Sequence, residues 1–339
     1  MRFSTSAFAP ACTSPNHCEA DPLRLYPDAS NGDAAVTRYR VFPGMELDYR
    51  DVHARACREL RDGSGERLEI HHCLEGRVEY RQNGRYFYLS PGDLAVARTS
   101  SLPPDSRFPT GHYHGITVTI DPAAAPECLS CILSDVEVRP ATLMEKLCPG
   151  GTVFTARSSR RVKHVFSELY AVPEDIRKGY LKVKLLELLL FLSTLSPEDG
   201  QTPHGFTAAQ VSLAEQVKAC LLAEADRTLT LKSLSQQFNV SEAQIKSSFT
   251  GVYGMSPASY ARSQRMHGAA ALLRETDRTV LDIACQFGYD NASKFAKAFR
   301  DVIGVSPREY RAGAEYDSCA PQLGEKPVSL SDADAERRI

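Results

Sequence analysis

The sequence predicts an α+β chain, with a small β-barrel and trailing helices in the N-terminal half and an all-α C-terminal half. Three observations carry this reading. Between about 37 and 120, apolar residues alternate with period two, and Asn83-Gly84 and Pro91-Gly92 punctuate the runs. After Asp121 the apolar spacing changes to that of helices. From about 231 to 311 a helix–turn–helix pattern occurs twice, about fifty residues apart.

Residues 1–35 are rich in Pro, Ser, Ala and Asp without a sustained period, and read as a disordered arm. Strand candidates follow at 37–42, 45–55, 67–74, 77–82, 85–90, 94–98 and 113–120. Asn83-Gly84 between RVEYRQ and RYFYLS signals a tight hairpin, and Ser90-Pro91-Gly92-Asp93 marks the next turn. Seven or so short strands of this kind fit a small barrel or jelly roll. Helix candidates then run over Pro122–Leu133, Ala141–Leu147, Arg157–Tyr170 and Asp175–Leu195. The last has the clearest stripe: Leu181, Leu185, Leu188, Leu189 and Leu192. Residues 197–206 are a linker by composition. Thr207 and Gln210 then form a capping box opening a domain over 207–312, and 313–339 is a polar, acidic tail expected to be disordered.

Within 207–312 the second unit is the clearer copy. Val280, Ile283, Ala284 and Phe287 line one helical face, Gly288 supplies the turn, and Asn291 caps a second helix. Phe295 and Phe299 form that helix's inward stripe. Gly304 ends it, and Ser306-Pro307-Arg308-Glu309 opens another. Upstream, Ile245 matches Phe295, Phe249 matches Phe299, Tyr253 matches Ile303 and Tyr260 matches Tyr310, with Ser256-Pro257 repeating Ser306-Pro307. Leu231, Leu234 and Phe238 repeat the first helix's face. Two helices across a tight turn are the unit whose second helix enters a major groove. Two such helices must stand about 34 Å apart to reach successive groove turns. The joining helix, Ser256 to about Arg274, spans about 28 Å, which makes that feasible.

Residues 207 to 312, through the repeat, IACQFGYDNASKFAKAFRDVIGVSP and PREYR, resemble the DNA-binding domain of the arabinose-operon-regulator (AraC) family. LEIHHCLEGRVEYRQNGRYFYLSPGDLAVAR resembles, more loosely, that family's cupin-like sensor half. The resemblance implies a sequence-specific DNA-binding transcription regulator, usually an activator. Its sensor and dimerisation domain (36–196) would take a small-molecule or partner signal and form a homodimer through helices such as 175–195. Double-stranded promoter DNA and RNA polymerase would be its partners. Family base-reading positions fall on Ala243, Lys246 and Ser247, and on Ala292, Ser293, Lys294 and Lys297. Thr250, Asn291, Arg262 and Arg300 complete the expected DNA-facing set. Lysine donates to guanine, while Ala243 offers only a methyl contact, shorter than the family's common choice. Arg265, Arg274 and Arg278 are further phosphate candidates, some of the arginines pairing instead with Glu275, Asp277, Asp282 or Asp301.

Charge agrees with this assignment. Net charge is only −2, yet residues 205–314 carry 13 Lys/Arg against 10 Asp/Glu, the one positive stretch of the chain. No secretory leader or membrane span is legible, and ten irregularly spaced cysteines fit reduced thiols and a cytoplasmic protein. His71, Tyr80, Tyr88, His112 and His114 are the expected signal-binding residues of the barrel. His71-His72 lacks the one-residue gap of metal-holding cupins, so no metal or other cofactor is assigned; a cupin-type metal enzyme carrying a DNA-binding module is the alternative. Cys128 and Cys131 form one CxxC, short of a zinc set without a second pair. Cys220 and Cys285 are expected on inward faces.

Overall fold

The computed structural model describes residues 22–30, 32–59, 61, 65–126, 138–200, 205–223 and 230–313. Twelve strands fill the first half of these residues: β1 (Leu23–Leu25), β2 (Ala29–Ser30), β3 (Asp33–Phe42), β4 (Met45–His53), β5 (Ala56–Arg58) and β6 (Leu68–Gly76), then β7 (Val78–Gln82), β8 (Arg85–Leu89), β9 (Leu94–Arg98), β10 (Asp105–Arg107), β11 (Tyr113–Ile120) and β12 (Phe154–Ala156). They form a seven-stranded sheet, β1-β3-β4-β11-β6-β9-β12, and a five-stranded sheet, β2-β5-β10-β7-β8. Every strand pairing is antiparallel. The β7–β8 hairpin turns where Asn83 and Gly84 both take positive φ, 49° and 71°, the geometry that Asn-Gly adopts at least cost.

The seven-stranded sheet is buried on both faces, and its period-two pleat sends alternate residues into two different environments. One face packs under α1 (Pro140–Leu147), α2 (Arg160–Ser167) and α3 (Arg177–Thr194). There Leu47, Leu68, Ile70, Ile116 and Val118 meet Leu143, Phe166, Leu181, Leu185, Leu188 and Leu192. The leucine stripe of α3 is thus spent on its own sheet. The other face meets the five-stranded sheet through Val52, Cys73, Ala95 and Tyr113 against Cys57, Val78, Tyr80 and Leu89.

The inter-sheet layer also holds charge. Arg38 grips Asp48 with two hydrogen bonds of 2.8 and 2.9 Å. Arg50 pairs with Glu59. Glu69 takes Arg61 at 2.9 Å and His71 at 3.1 Å. Burial alone would raise the carboxyls of Glu59 and Glu69, yet these partners outweigh it and hold each near 2.

Several expectations are corrected. The arm ends earlier than residue 35: Leu23–Leu25 pairs with β3, because the period-two pattern of β3 leaves an edge that this segment covers. Strands β2, β5, β10 and β12 were not foreseen; at two or three residues they are too short to show a period. Pro122 to Ala125 form a turn, and the rest of that helix candidate, with Cys128 and Cys131, lies outside the described residues. α2 begins at Arg160, capped by Ser159, because Arg157 and Ser158 are held by the Asp93 carboxylate. The linker is not free along its length, since Pro197–Asp199 forms a short 3-10 turn and Phe206 is buried. Residues 1–21 and 314–339, hence the outer arm and tail, lie outside the described residues.

His72 tests the face assignment. Its ring stacks on Phe166 at 4.1 Å, Nδ1 meets the Tyr170 hydroxyl at 2.9 Å, and Nε2 is buried without a partner. A proton on Nε2 would be desolvated, and burial pulls the imidazole down to about 4. The folded state therefore binds fewer protons than the unfolded state between pH 6.5 and 4. Stability is expected to fall as pH drops through that window, by up to roughly 3 kcal/mol. Below about 4.5, Glu59 and Glu69 add losses of the same sign. Urea titrations from pH 7 to 4 should show this slope, and a His72→Gln variant should flatten it above pH 4.5; an unchanged slope would refute the assignment.

Candidate functional site

The helical half is built from local caps that its sequence specifies. α4 (Ala208–Ala223) opens on the Thr207–Gln210 box, with Thr207 N donating to Gln210 Oε1 at 2.9 Å and Gln210 N to Thr207 Oγ1 at 3.3 Å. α5 (Leu231–Phe238) is capped by Thr230 and closed by Asn239 at φ 51°. α6 (Glu242–Tyr253) starts at Ser241, and Gly254 ends it in the left-handed region. α7 (Pro257–Glu275) begins at Ser256 and carries the chain to the second copy. There α8 (Val280–Gln286) is capped by Thr279, the chain turns at Gly288, φ 79°, and α9 (Ala292–Ile303) runs from Asn291 to Gly304. α10 (Pro307–Arg311) closes with the full Ser306–Glu309 box, whose hydrogen bonds hold the Glu309 carboxyl below its ordinary value.

The two units repeat down to ring geometry. Phe249 meets Tyr260 edge-on at 5.5 Å and 71°, and Phe299 meets Tyr310 at 5.6 Å and 73°. Ile245, Phe249, Phe295 and Phe299 are fully buried. The first unit's core is Val217, Leu234, Ile245 and Phe249; the second's is Met266, Ile283, Phe295 and Phe299. α7 contributes to both cores, so the units are held at a spacing set by one helix.

With the inward faces buried, the opposite faces of α6 and α9 stand in solvent. Ala243, Lys246, Ser247 and Thr250 are exposed on α6; Ala292, Ser293, Lys294, Lys297 and Arg300 are exposed on α9. At 100° per residue, 243, 247 and 250 form one stripe and 293, 297 and 300 its counterpart. Asn291 is exposed, but its Oδ1 is committed to Ser293 N at 2.8 Å and Lys294 N at 3.2 Å, leaving its amide N–H2 to face outward. Lys246, Lys294 and Lys297 have no carboxylate partner among the described residues. Arg262 is exposed on α7. The arginine pairings differ from expectation. Arg300 pairs with Glu309 at 3.9 Å, a weak exposed contact, while Arg274 donates to the Tyr310 hydroxyl and Arg278 to Gln286. Cys285 is exposed rather than inward, because Ile283, Ala284 and Phe287 take the buried face; Cys220 is half-buried.

The first unit is docked on the five-stranded sheet, which sequence reasoning missed. Phe206 and Tyr86 exchange backbone hydrogen bonds of 2.8 and 2.9 Å, adding a bridge to the β8 edge. The Phe206 ring lies over Gly251 of α6, where a Cβ would come within 2.0 Å of it. Arg77 donates to Gly251 O at 2.9 Å, and Lys218 of α4 donates to Pro109 O at 3.2 Å. Burial, then Arg55, holds the Lys218 ammonium below the ordinary lysine range.

The five expected signal-binding residues are not brought together. His71 and Tyr80 meet in the inter-sheet layer, ring centroids 5.9 Å apart. Tyr88 is on the other face of the five-stranded sheet, because it pairs with Glu79 while Phe87 pairs with Tyr80. It packs with Phe206 and donates to Glu79 at 3.1 Å. His112 is exposed, and His114 lies beside Asp51 at the end of the seven-stranded sheet. One-residue register is what a sequence leaves open, and it separates these positions.

Residues 234–313 match the family model described as "Helix-turn-helix domain". The chain is 36% identical over 276 residues to the "Uncharacterized HTH-type transcriptional regulator YdiP" of Escherichia coli (strain K12), covering 77% of this chain and 88% of that protein. It is 29% identical over 139 residues to the "HTH-type transcriptional activator RhaR" of Pectobacterium carotovorum subsp. carotovorum (strain PC1), covering 41% of this chain and 49% of that protein. Among solved structures, the AdpA DNA-binding domain in complex with a target DNA is 26% identical, covering 32% of this chain and 96% of that one, with a TM-score of 0.28.

Phe299, fully buried between α9, α7 and α10, tests the inward face. Phe299→Ala is expected to cost about 3–5 kcal/mol in chemical denaturation. The exposed change Lys297→Ala is expected to stay within about 0.5 kcal/mol of the parent. A Phe299→Ala loss below about 1 kcal/mol would show that the helix faces its core differently.

Proposed function

Because the chain belongs to the AraC family of helix-turn-helix transcription regulators, we propose that it seats α6 and α9 in successive major-groove turns of promoter DNA and responds to a signal taken up by its N-terminal half. The observation that supports the DNA contact best is the exposed face of α9, where Lys294 and Lys297 lack carboxylate partners among the described residues, opposite a buried Phe295–Phe299 stripe. On α6, Lys246 is the one long cation, so its share of base reading is smaller and Ala243 is left to methyl contact. Arg262 and Arg300 serve phosphates.

We read the N-terminal half as a cupin-like sensor acting on a small-molecule or partner signal. A groove of about 770 Å³, lined by Tyr26, Tyr39, Tyr49, Tyr170 and Arg177 among others, is large enough for a small molecule. The signal has a physical route to DNA through Phe206, Arg77 and Lys218, which join the five-stranded sheet to α4 and α6. Homodimerisation is assigned to the outer face of α3, where Ile176, just ahead of the helix, and Val183 stand exposed. Activation through RNA polymerase and a cytoplasmic location complete the reading. No helix among the described residues is long and apolar enough to cross a membrane. The enzyme reading is not supported, since the relatives are transcription regulators.

The full chain is expected to bind promoter fragments in an anisotropy titration. With roughly 6–10 phosphate contacts, affinity should fall about 10³–10⁵-fold between 50 and 200 mM salt. Absence of binding at low salt would reject the function. Lys297→Ala then separates reading from anchoring. Base reading predicts a loss of about 1–3 kcal/mol on the cognate site with little change on a scrambled one. Equal losses on both, with the salt slope reduced by about one, would leave Lys297 as a phosphate contact.

A further inference from the structure

The end of the seven-stranded sheet gathers a donor set that the DNA-binding function does not use. β4 and β11 are neighbours, and their register sets His114 directly opposite Asp51, with His53 two residues further along β4 on the same face. Asp51 Oδ1 lies 3.0 Å from His53 Nε2 and 3.2 Å from His114 Nδ1. All three donor atoms fall within 4.8 Å of one another.

Asp51 is shared by two imidazoles rather than paired with one. Asp51 Oδ1 is shielded from solvent yet receives no hydrogen bond, although two ring nitrogens are close enough to give one. The nitrogens and the oxygen are therefore not aimed at each other. His71 and Glu69 show the same unaligned contact as a single pair, whereas here three donors converge, as ligands that share an ion do. The separations agree: bonds of about 2.0–2.2 Å to imidazole nitrogen and carboxylate oxygen put neighbouring ligands about 3.0–3.5 Å apart in octahedral or tetrahedral sites.

We propose that Asp51, His53 and His114 bind a divalent transition-metal ion. Two imidazoles and one carboxylate suit zinc, nickel, cobalt or ferrous iron and disfavour magnesium and calcium, which take oxygen ligands. Asp51 and His114 line the groove of about 770 Å³, so positions of the ion not filled by the protein face a space open to small molecules. Two more donors flank the set: Glu75 stands opposite His114 on β6, and His112 precedes His114 by two residues. The site lies on the helix-bearing side of the sheet, away from the inter-sheet layer that holds His71. It rests on this geometry and stands or falls independently of DNA binding.

The test is Zn²⁺ binding to the full chain after chelator treatment, by competition with a chromophoric chelator, with Co²⁺ absorption as a second reading. One ion per chain is expected, at micromolar affinity or tighter. Loss of an outer-shell residue typically weakens metal binding about 10–100-fold, so His114→Ala and His53→Gln should each exceed that range. His164→Ala, an exposed histidine on α2, should bind as the parent does. His53 is partly exposed, and circular dichroism checks that its variant folds. Co²⁺ should give ligand-field bands without the thiolate-to-cobalt charge-transfer band. The proposal is overturned if the His53→Gln/His114→Ala double variant binds Zn²⁺ as tightly as the parent, if neither protein binds it, or if a thiolate band shows that some of the ten cysteines hold the ion.

Discussion

The fold depends on one sheet being buried on both faces. β4, β11 and β6 pair along nearly their whole lengths, so a residue's place in the strand decides which core it enters. In β6 the even positions Leu68, Ile70 and His72 face the helices, while Glu69, His71 and Cys73 face the second sheet. A sheet packed on one side tolerates polar residues on its free face, because water satisfies them. Here water is excluded from the inter-sheet layer and from the helix-covered face outside the groove, so each polar residue buried there needs a protein partner. That is why Arg38 holds Asp48, Arg50 holds Glu59, and Glu69 is shared by Arg61 and His71. Removing one member would leave an uncompensated buried charge, a heavier cost than any exposed ion pair could offset.

The helical half obeys a more local constraint. Each helix is started by a Ser, Thr or Asn side chain, and Gly or Asn takes the left-handed residue that ends α5, α6 and α9. Small aromatic cores then fix each pair of helices, and α7 ties the two units together. Nothing in this requires the two sheets. The first unit nevertheless shares its core with Tyr86 and Tyr88 of the five-stranded sheet through Phe206. Among the described residues the second unit makes no comparable contact: its core is drawn from α7, α8, α9 and α10. The helices α6 and α9 are therefore unequal: α6 ends at the joint with the five-stranded sheet, and α9 carries two of the three lysines that lack a carboxylate partner among the described residues. A change that loosens the joint would act on α6 first.

The helical half was legible from sequence because its determinants lie within a few residues of each other. Caps, turns and the inward stripe are all i to i+7 relations, and the repeat supplied an internal check: spacing matched Phe249 to Phe299 and Tyr260 to Tyr310, and the Phe–Tyr contact within each unit has nearly equal geometry. The exposed face of α9 followed from the same periodicity. Strand positions and the Asn83-Gly84 hairpin were legible for the same reason, while edge strands of two or three residues left no period to read.

Tertiary structure decided everything that depends on register and on which surfaces meet. Tyr80 and Tyr88 look alike in the sequence, yet one enters the inter-sheet layer and the other the joint with α4, because strand pairing shifts faces residue by residue. Phe206 reads as linker until its backbone pairs with Tyr86. Asp51 carries no signal of its own; it becomes a neighbour of His114 only when β4 and β11, sixty residues apart in the chain, align. The sequence by itself determined the helical repeat and its outward face, since short-range spacing specifies both. The joint, the charged layer and the Asp51–His53–His114 cluster needed the fold, since each is made by residues whose proximity only long-range pairing creates.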